Sequence, residues 1–163
     1  MGVAVLEVND LRYYGVKELR RHRPIFKLAR ATRTVLDDLI EHHRPTLIAY
    51  EASVYTHQLA SAMLHAVERE IRRSAKAADL KVVSYEPSYI RQILCGDPWA
   101  TKQMVAAKLV ERFPELAGYR SGQSPRSERY WLNMFDALAV AVTALSDSES
   151  GRGAYDDGAA QAA

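Results

Sequence analysis

Two carboxylates in this chain stand where an isolated charge is unfavourable. Glu51 closes the run Leu47-Ile48-Ala49-Tyr50, which reads as a short apolar strand through the middle of a covered sheet. It falls at that strand's C-terminal end, where open α/β sheets keep their ligands and chemistry. Asp136 interrupts residues 134–143, a helical stretch otherwise apolar except for Thr143. Alone, Glu51 is the ordinary strand-end acid facing water, and Asp136 is as well read as an acid on a helix's wet side. Together, each flanked by apolar segments, they point to a shared cation, because an ionised acid in such surroundings must be paired or coordinate a metal. Asn133, three residues before Asp136, shares its helix face. Hard oxygen donors without clustered His or Cys suit Mg²⁺, with Mn²⁺ as the alternative. Mg²⁺ usually takes one or two protein carboxylates plus phosphate oxygens, which points to phosphodiester chemistry. The expectation is that Glu51 and Asp136 meet across a sheet–helix contact.

Composition narrows the setting. The chain of 163 residues is long enough for one domain with a real core. Its net charge of +2 conceals an acidic end. Residues 146–163 carry Asp147, Glu149, Asp156 and Asp157 against Arg152, leaving the body at +5 and mildly inclined toward polyanions. No apolar run approaches the ~20 residues of a membrane span, and no signal-peptide pattern opens the chain. A single cysteine, Cys95, excludes an internal disulfide framework and suits a cytoplasmic location. The five histidines lack metal-ligand spacing; His42 and His43 are expected at the C-terminal end of a helix.

The elements that position the acids follow from periodicity. Residues 1–8 and 11–19 predict two strands of a hairpin, turned at Asn9-Asp10. An amphipathic helix is predicted over 25–43, ended by Pro45, and the Glu51 strand follows at once. A second helix is predicted over 57–78 with Thr56 as its cap, then a strand over 80–85 and a brief helix over 88–94. Asp97 and Pro98 predict the N-cap and first position of a helix over 99–113. Residues 114–129 read as irregular, 130–145 as the helix bearing Asp136, and 146–163 as a disordered tail. This order gives an α/β fold with a mixed sheet flanked by helices. Tyr85, Tyr89 and Trp99 are expected in its core.

Five blocks carry a resemblance: Gly2 to Glu7, Ile48 to Glu51, Val83 to Pro87, Gly96 to Val105 and Asp136 to Val142. In this order, and at roughly these spacings, they resemble the RuvC family of Holliday junction resolvases, within the RNase H-like superfamily. Each block is weak alone, and the five together are fairly specific. The resemblance implies a five-stranded mixed sheet with helices on both sides, spanning residues 1–145. It implies a homodimer that nicks branched DNA with Mg²⁺ held by four acids, and association with a branch-migration complex. On it, Glu51 is the second acid and Asp136 the last. The third corresponds to Asn133, an amide. The strand bearing the first acid would precede Gly2, so the expected sheet lacks its first central strand. An incomplete N-terminus and a non-cleaving, junction-binding relative are the two explanations; an RNase H-like nuclease for another nucleic acid is a third possibility.

Lys102, at a helix N-terminus beside Gly96-Asp97-Pro98, is by this resemblance a ligand of the scissile phosphate or a stabiliser of its charge. The pattern alone would be an ordinary cap with a solvated lysine. Lys108 and Arg112 on the same helix are expected to follow the DNA backbone. Where the family carries a stacking aromatic after the second acid, this chain has Val54, with Tyr55 beside it as the substitute. A second basic run, Arg20, Arg21, Arg23, Lys27, Arg30 and Arg33, reads chiefly as a solvated helix face.

Overall fold

A computed structural model describes residues 1–19, 24–52, 58–120 and 125–151. Strands β1 (Gly2–Glu7) and β2 (Asp10–Val16) form an antiparallel hairpin. Helix α1 (Ile25–His43) leads to β3 (Leu47–Glu51), and α2 (Gln58–Ala77) crosses over to β4 (Lys81–Tyr85), which pairs parallel with β3. Then come α3 (Pro87–Cys95), α4 (Lys102–Arg112), a 3₁₀ turn at Pro114–Leu116, α5 (Ala117–Arg120) and the long α6 (Pro125–Ser150).

The core is built on α6. Its Met134, Phe135, Leu138, Ala139, Val140 and Val142 are buried against Tyr85, Ile90, Val105, Leu109, Phe113 and Leu116 from the strand and helices around it. The hairpin and the β3–β4 pair both pack on this helix, yet they are two separate two-stranded sheets. No described strand bridges them. This corrects the expectation of a fully covered strand at Leu47–Tyr50, whose residues are only half-buried. With β4 on one side, β3 has no described strand on the other.

Several boundaries shift for identifiable reasons. The hairpin turns at Val8-Asn9, because a register shift between Val5 and Leu6 moves the pairing by one residue. Helix α4 starts at Lys102, capped by the Thr101 side chain, which accepts from the Met104 amide at 3.2 Å. Asp97 instead closes a local turn by accepting from the Trp99 amide at 2.9 Å. Residues 114–120 and 125–129 are largely helical, Pro125 being tolerated in the first turn of α6. Residues 146–150, assigned to the tail, continue α6, and Asp147 within them is buried. Residues 152–163 lie outside the described residues, as does the Thr56 cap.

Helices α1 and α2 are joined by polar contacts. Arg33 donates twice to the Glu70 carboxylate, at 2.7 and 2.9 Å, and the Ser74 hydroxyl donates to Asp37 at 3.0 Å. Arg33 therefore serves this contact, and Arg20, Arg21 and Arg23 lie outside the described residues. On α1, Thr32 is fully buried and its hydroxyl finds no partner among the described residues. An unsatisfied buried hydroxyl costs about 1 kcal/mol or more, so Thr32→Val should stabilise the protein. Differential scanning calorimetry should show Tm rising by about 2–4 °C; a fall would mean that the hydroxyl has a partner.

Candidate metal and phosphate site

Glu51 and Asp136, 85 positions apart in sequence, line one shallow recess together with Pro87, Ile90, Arg91, Lys102, Val105 and Ala139. Four elements place them. The β3–β4 ladder runs to Glu51↔Tyr85, and the Ala52 amide adds a bond to the Tyr85 carbonyl at 2.8 Å, so the acid stands on a paired backbone. Helix α3 begins directly after β4, with Pro87 in its first turn, and brings Arg91 to the same end of the sheet. The α4 N-terminus supplies Lys102, and α6 supplies Asp136.

The position of α6 is fixed by a close backbone approach. A Cβ at Gly2 would stand 1.6 Å from the carbonyl oxygen of Asn133, so only glycine lets β1 lie this near the turn of α6 that precedes Asp136. Buried Phe135 and Met134 hold the other side of that turn.

The charges are arranged as two acids and two cations. The Lys102 ammonium donates to an Asp136 carboxylate oxygen. About half of the lysine side chain is open to solvent, so the pair contributes little stability and its value is positional. Burial of part of Glu51 pushes its carboxyl above the usual range; the Asp136 charge adds to this, while Lys102 and Arg91 oppose it. A carboxylate whose ionisation is opposed by a neighbouring carboxylate marks a place where added positive charge is favourable.

That shift has a measurable consequence. A carboxyl whose folded pKa lies above its unfolded value destabilises the fold once it is ionised, and the penalty fades as pH falls and it protonates. Glu51→Gln should therefore raise the Tm of the metal-free protein at pH 7, by about 1–2 °C given the group's solvent access. The gain should vanish near pH 4 in a pH series of melts; a loss at pH 7 would contradict it.

The other residues of interest divide. Asn133 is exposed and does not line the recess; its backbone carbonyl faces Gly2. Lys108 and Arg112 are turned about 120° and 80° around α4 from Lys102, at 3.6 residues per turn. Lys108 donates to Glu111 at 2.8 Å, and Arg112 donates to Asn9 across the molecule. Tyr55 lies outside the described residues. His42 contacts the Asp38 carbonyl at 2.7 Å, near the end of α1 as expected. Tyr85 is buried and Tyr89 packs against the core, stacked on it with ring centroids 5.8 Å apart, but Trp99 is 85% exposed rather than in the core. Arg91 was not legible in advance. Its one signal is its place one turn into a helix that starts where β4 ends, the same sheet end as Glu51.

Among the described residues no group of three or more His, Cys, Asp and Glu side chains gathers to hold a metal. Two carboxylates in one recess nevertheless match the usual protein share of a Mg²⁺ site, the remaining positions going to water and phosphate oxygens. The lysine ammonium on Asp136 shows that this oxygen accepts a cation.

The α/β architecture is that of the RNase H-like fold, in its RuvC form. A structure of Thermus thermophilus RuvC matches with a TM-score of 0.72 at 21% identity, over 94% of this chain and 90% of that one. A structure of T. thermophilus RuvC in complex with a Holliday junction substrate matches with a TM-score of 0.74 at 20% identity, over 94% and 89%. No family model matches, and no curated protein sequence matches. No described helix is long and apolar enough to cross a membrane.

Proposed function

We propose that this protein is a divalent-metal-dependent, structure-selective DNA endonuclease of the junction-resolving type. The observation that carries the reading is the convergence of Glu51 and Asp136 in one recess flanked by Lys102 and Arg91, on a fold shared with an enzyme solved on a Holliday junction. Glu51 and Asp136 would hold Mg²⁺ or Mn²⁺. When bound, that ion activates water and neutralises charge on the phosphate and leaving oxygen.

The chain's own groups do the rest. Lys102 and Arg91 draw a backbone phosphate into the recess, and Lys102, which donates to Asp136, would be free to donate to the phosphate instead were that acid to hold a cation. Ile90, Val105 and Ala139 supply the apolar wall that limits water around the reacting phosphorus. Lys108 and Arg112 would contact the DNA backbone outside the recess, Tyr55 is assigned a DNA contact on the resemblance alone, and Asn133 offers an amide oxygen one turn from Asp136. Homodimerisation, partnership with a branch-migration complex and a cytoplasmic location belong to the same reading.

The second reading is a junction-binding protein without catalysis. It is favoured by the small number of acids, with an amide at Asn133 and a lysine already neutralising Asp136. A panel of four-way junction, flap, duplex and RNA–DNA hybrid, incubated with Mg²⁺ or Mn²⁺, separates the possibilities. Nicking confined to the junction supports the first reading. Tight junction binding without nicking supports the second, and preference for the hybrid points to another RNase H-like activity.

A further inference from the structure

Trp99 stands on the six-residue bridge, residues 96–101, between α3 and α4. Both ends of the bridge are fixed. Gly96, in the left-handed conformation at φ 71°, caps α3 by donating to the Gln92 carbonyl at 3.0 Å, and Thr101 caps α4. Within the bridge, Asp97 accepts from the Trp99 amide through its side chain and from the Ala100 amide, at 3.2 Å, through its carbonyl, while Ala100 is buried as an anchor. The backbone under the indole is therefore held, and the ring projects into water. Its sequence neighbours are mixed: Asp97, Thr101, Lys102 and Gln103 are polar, Pro98 is apolar and Met104 is half-exposed. The two helices it joins carry Arg91 and Lys102, the cations of the recess. Three residues span at most about 11 Å, so the indole stands within a few nucleotides of any phosphate held at Lys102.

We infer that Trp99 is a stacking platform for an unpaired base at the branch, next to the strand whose phosphate enters the recess. This rests on the nucleic-acid reading above and adds to it a residue that selects branched over continuous duplex DNA. A held aromatic beside phosphate-binding cations is the arrangement that captures splayed bases, since every base has a face to stack. In continuous duplex the bases are already stacked on one another and gain nothing from the ring.

The chain has two tryptophans, so Trp131→Phe leaves Trp99 as the sole indole fluorophore. In that background, titration with a four-way junction should quench Trp99 emission, and a matched duplex should not. In the otherwise unchanged protein, Trp99→Ala should weaken junction binding, measured by anisotropy of labelled DNA, by about 5–150-fold, the equivalent of one base–aromatic stack. It should leave duplex binding and Tm unchanged, and Trp99→Phe should restore most of the loss. Junction binding that neither quenches Trp99 nor weakens in Trp99→Ala overturns the platform while leaving the nucleic-acid reading standing. Absence of any DNA binding overturns both. Quenching that grows with protein concentration alone assigns the ring to contact between copies of this chain and also overturns it.

Discussion

Glu51→Gln should abolish nicking of a synthetic four-way junction while leaving junction binding intact. The substitution keeps the shape of the side chain and replaces one of the two carboxylates that line the recess. An amide is a poor ligand for a hard cation, and losing a direct ligand should exceed the 10–100-fold typical of removing a residue that merely supports one. A rate loss on the order of 10³ or more is expected in single-turnover cleavage with Mg²⁺, the scale on which removing preorganised charge stabilisation acts. Binding should survive because Lys102 and Arg91 remain, with one negative charge fewer opposing the phosphate. The stability gain expected for the same variant makes the test clean: an enzyme that melts higher and cuts far less has lost chemistry, not structure. Unchanged cleavage would remove Glu51 from the mechanism.

Asp147→Ala should be strongly destabilising although it lies away from the recess. Asp147 is buried near the end of α6 and accepts the Tyr89 hydroxyl at 2.8 Å. The Asp147 charge also acts on Tyr85, and burial together with that charge pushes the Tyr85 phenol well above its ordinary range. One carboxylate thus ties α6 to α3 and to the strand paired with β3. Truncation would remove the acceptor of the Tyr89 hydroxyl and the charge that acts on the Tyr85 phenol. Hydrogen bonds to charged groups contribute about 1.5–3 kcal/mol each, so a loss of about 3 kcal/mol is expected, a fall in Tm of roughly 6–12 °C. Asp147→Asn keeps an acceptor and should lose about half as much. A near-neutral Asp147→Ala in urea or thermal unfolding would show that the two tyrosines are satisfied elsewhere.

What could be read from sequence follows from how local each signal is. The bounds of α1 emerge from a 3.6-residue apolar rhythm between Pro24 and Pro45, and β3 from an unbroken apolar run ending in an acid. Both depend on neighbours in the chain. The start of α4 was misplaced because Asp97-Pro98 is a good cap sequence that lost to Thr101, whose hydroxyl sits nearer the helical register. The end of α6 was misplaced because Ser and Asp after Leu145 look like a solvated tail, and only the two distant tyrosines make Asp147 a buried residue. Arg91 is indistinguishable in sequence from a solvated helix arginine. Trp99 was assigned to the core on its side chain alone, and the Asp97 turn that holds it outward is a tertiary outcome. The convergence of Glu51 with Asp136 was inferable only because two expensive charges invited a common cation.

The most direct measurement is Mn²⁺ binding followed by electron paramagnetic resonance, on the unaltered protein, Glu51→Gln, Asp136→Asn and the double variant. The account predicts saturable binding by the unaltered protein, weakened at least tenfold in each single variant and lost in the double one, with Mg²⁺ competing for the same site. Equal Mn²⁺ affinity in all four proteins would contradict it.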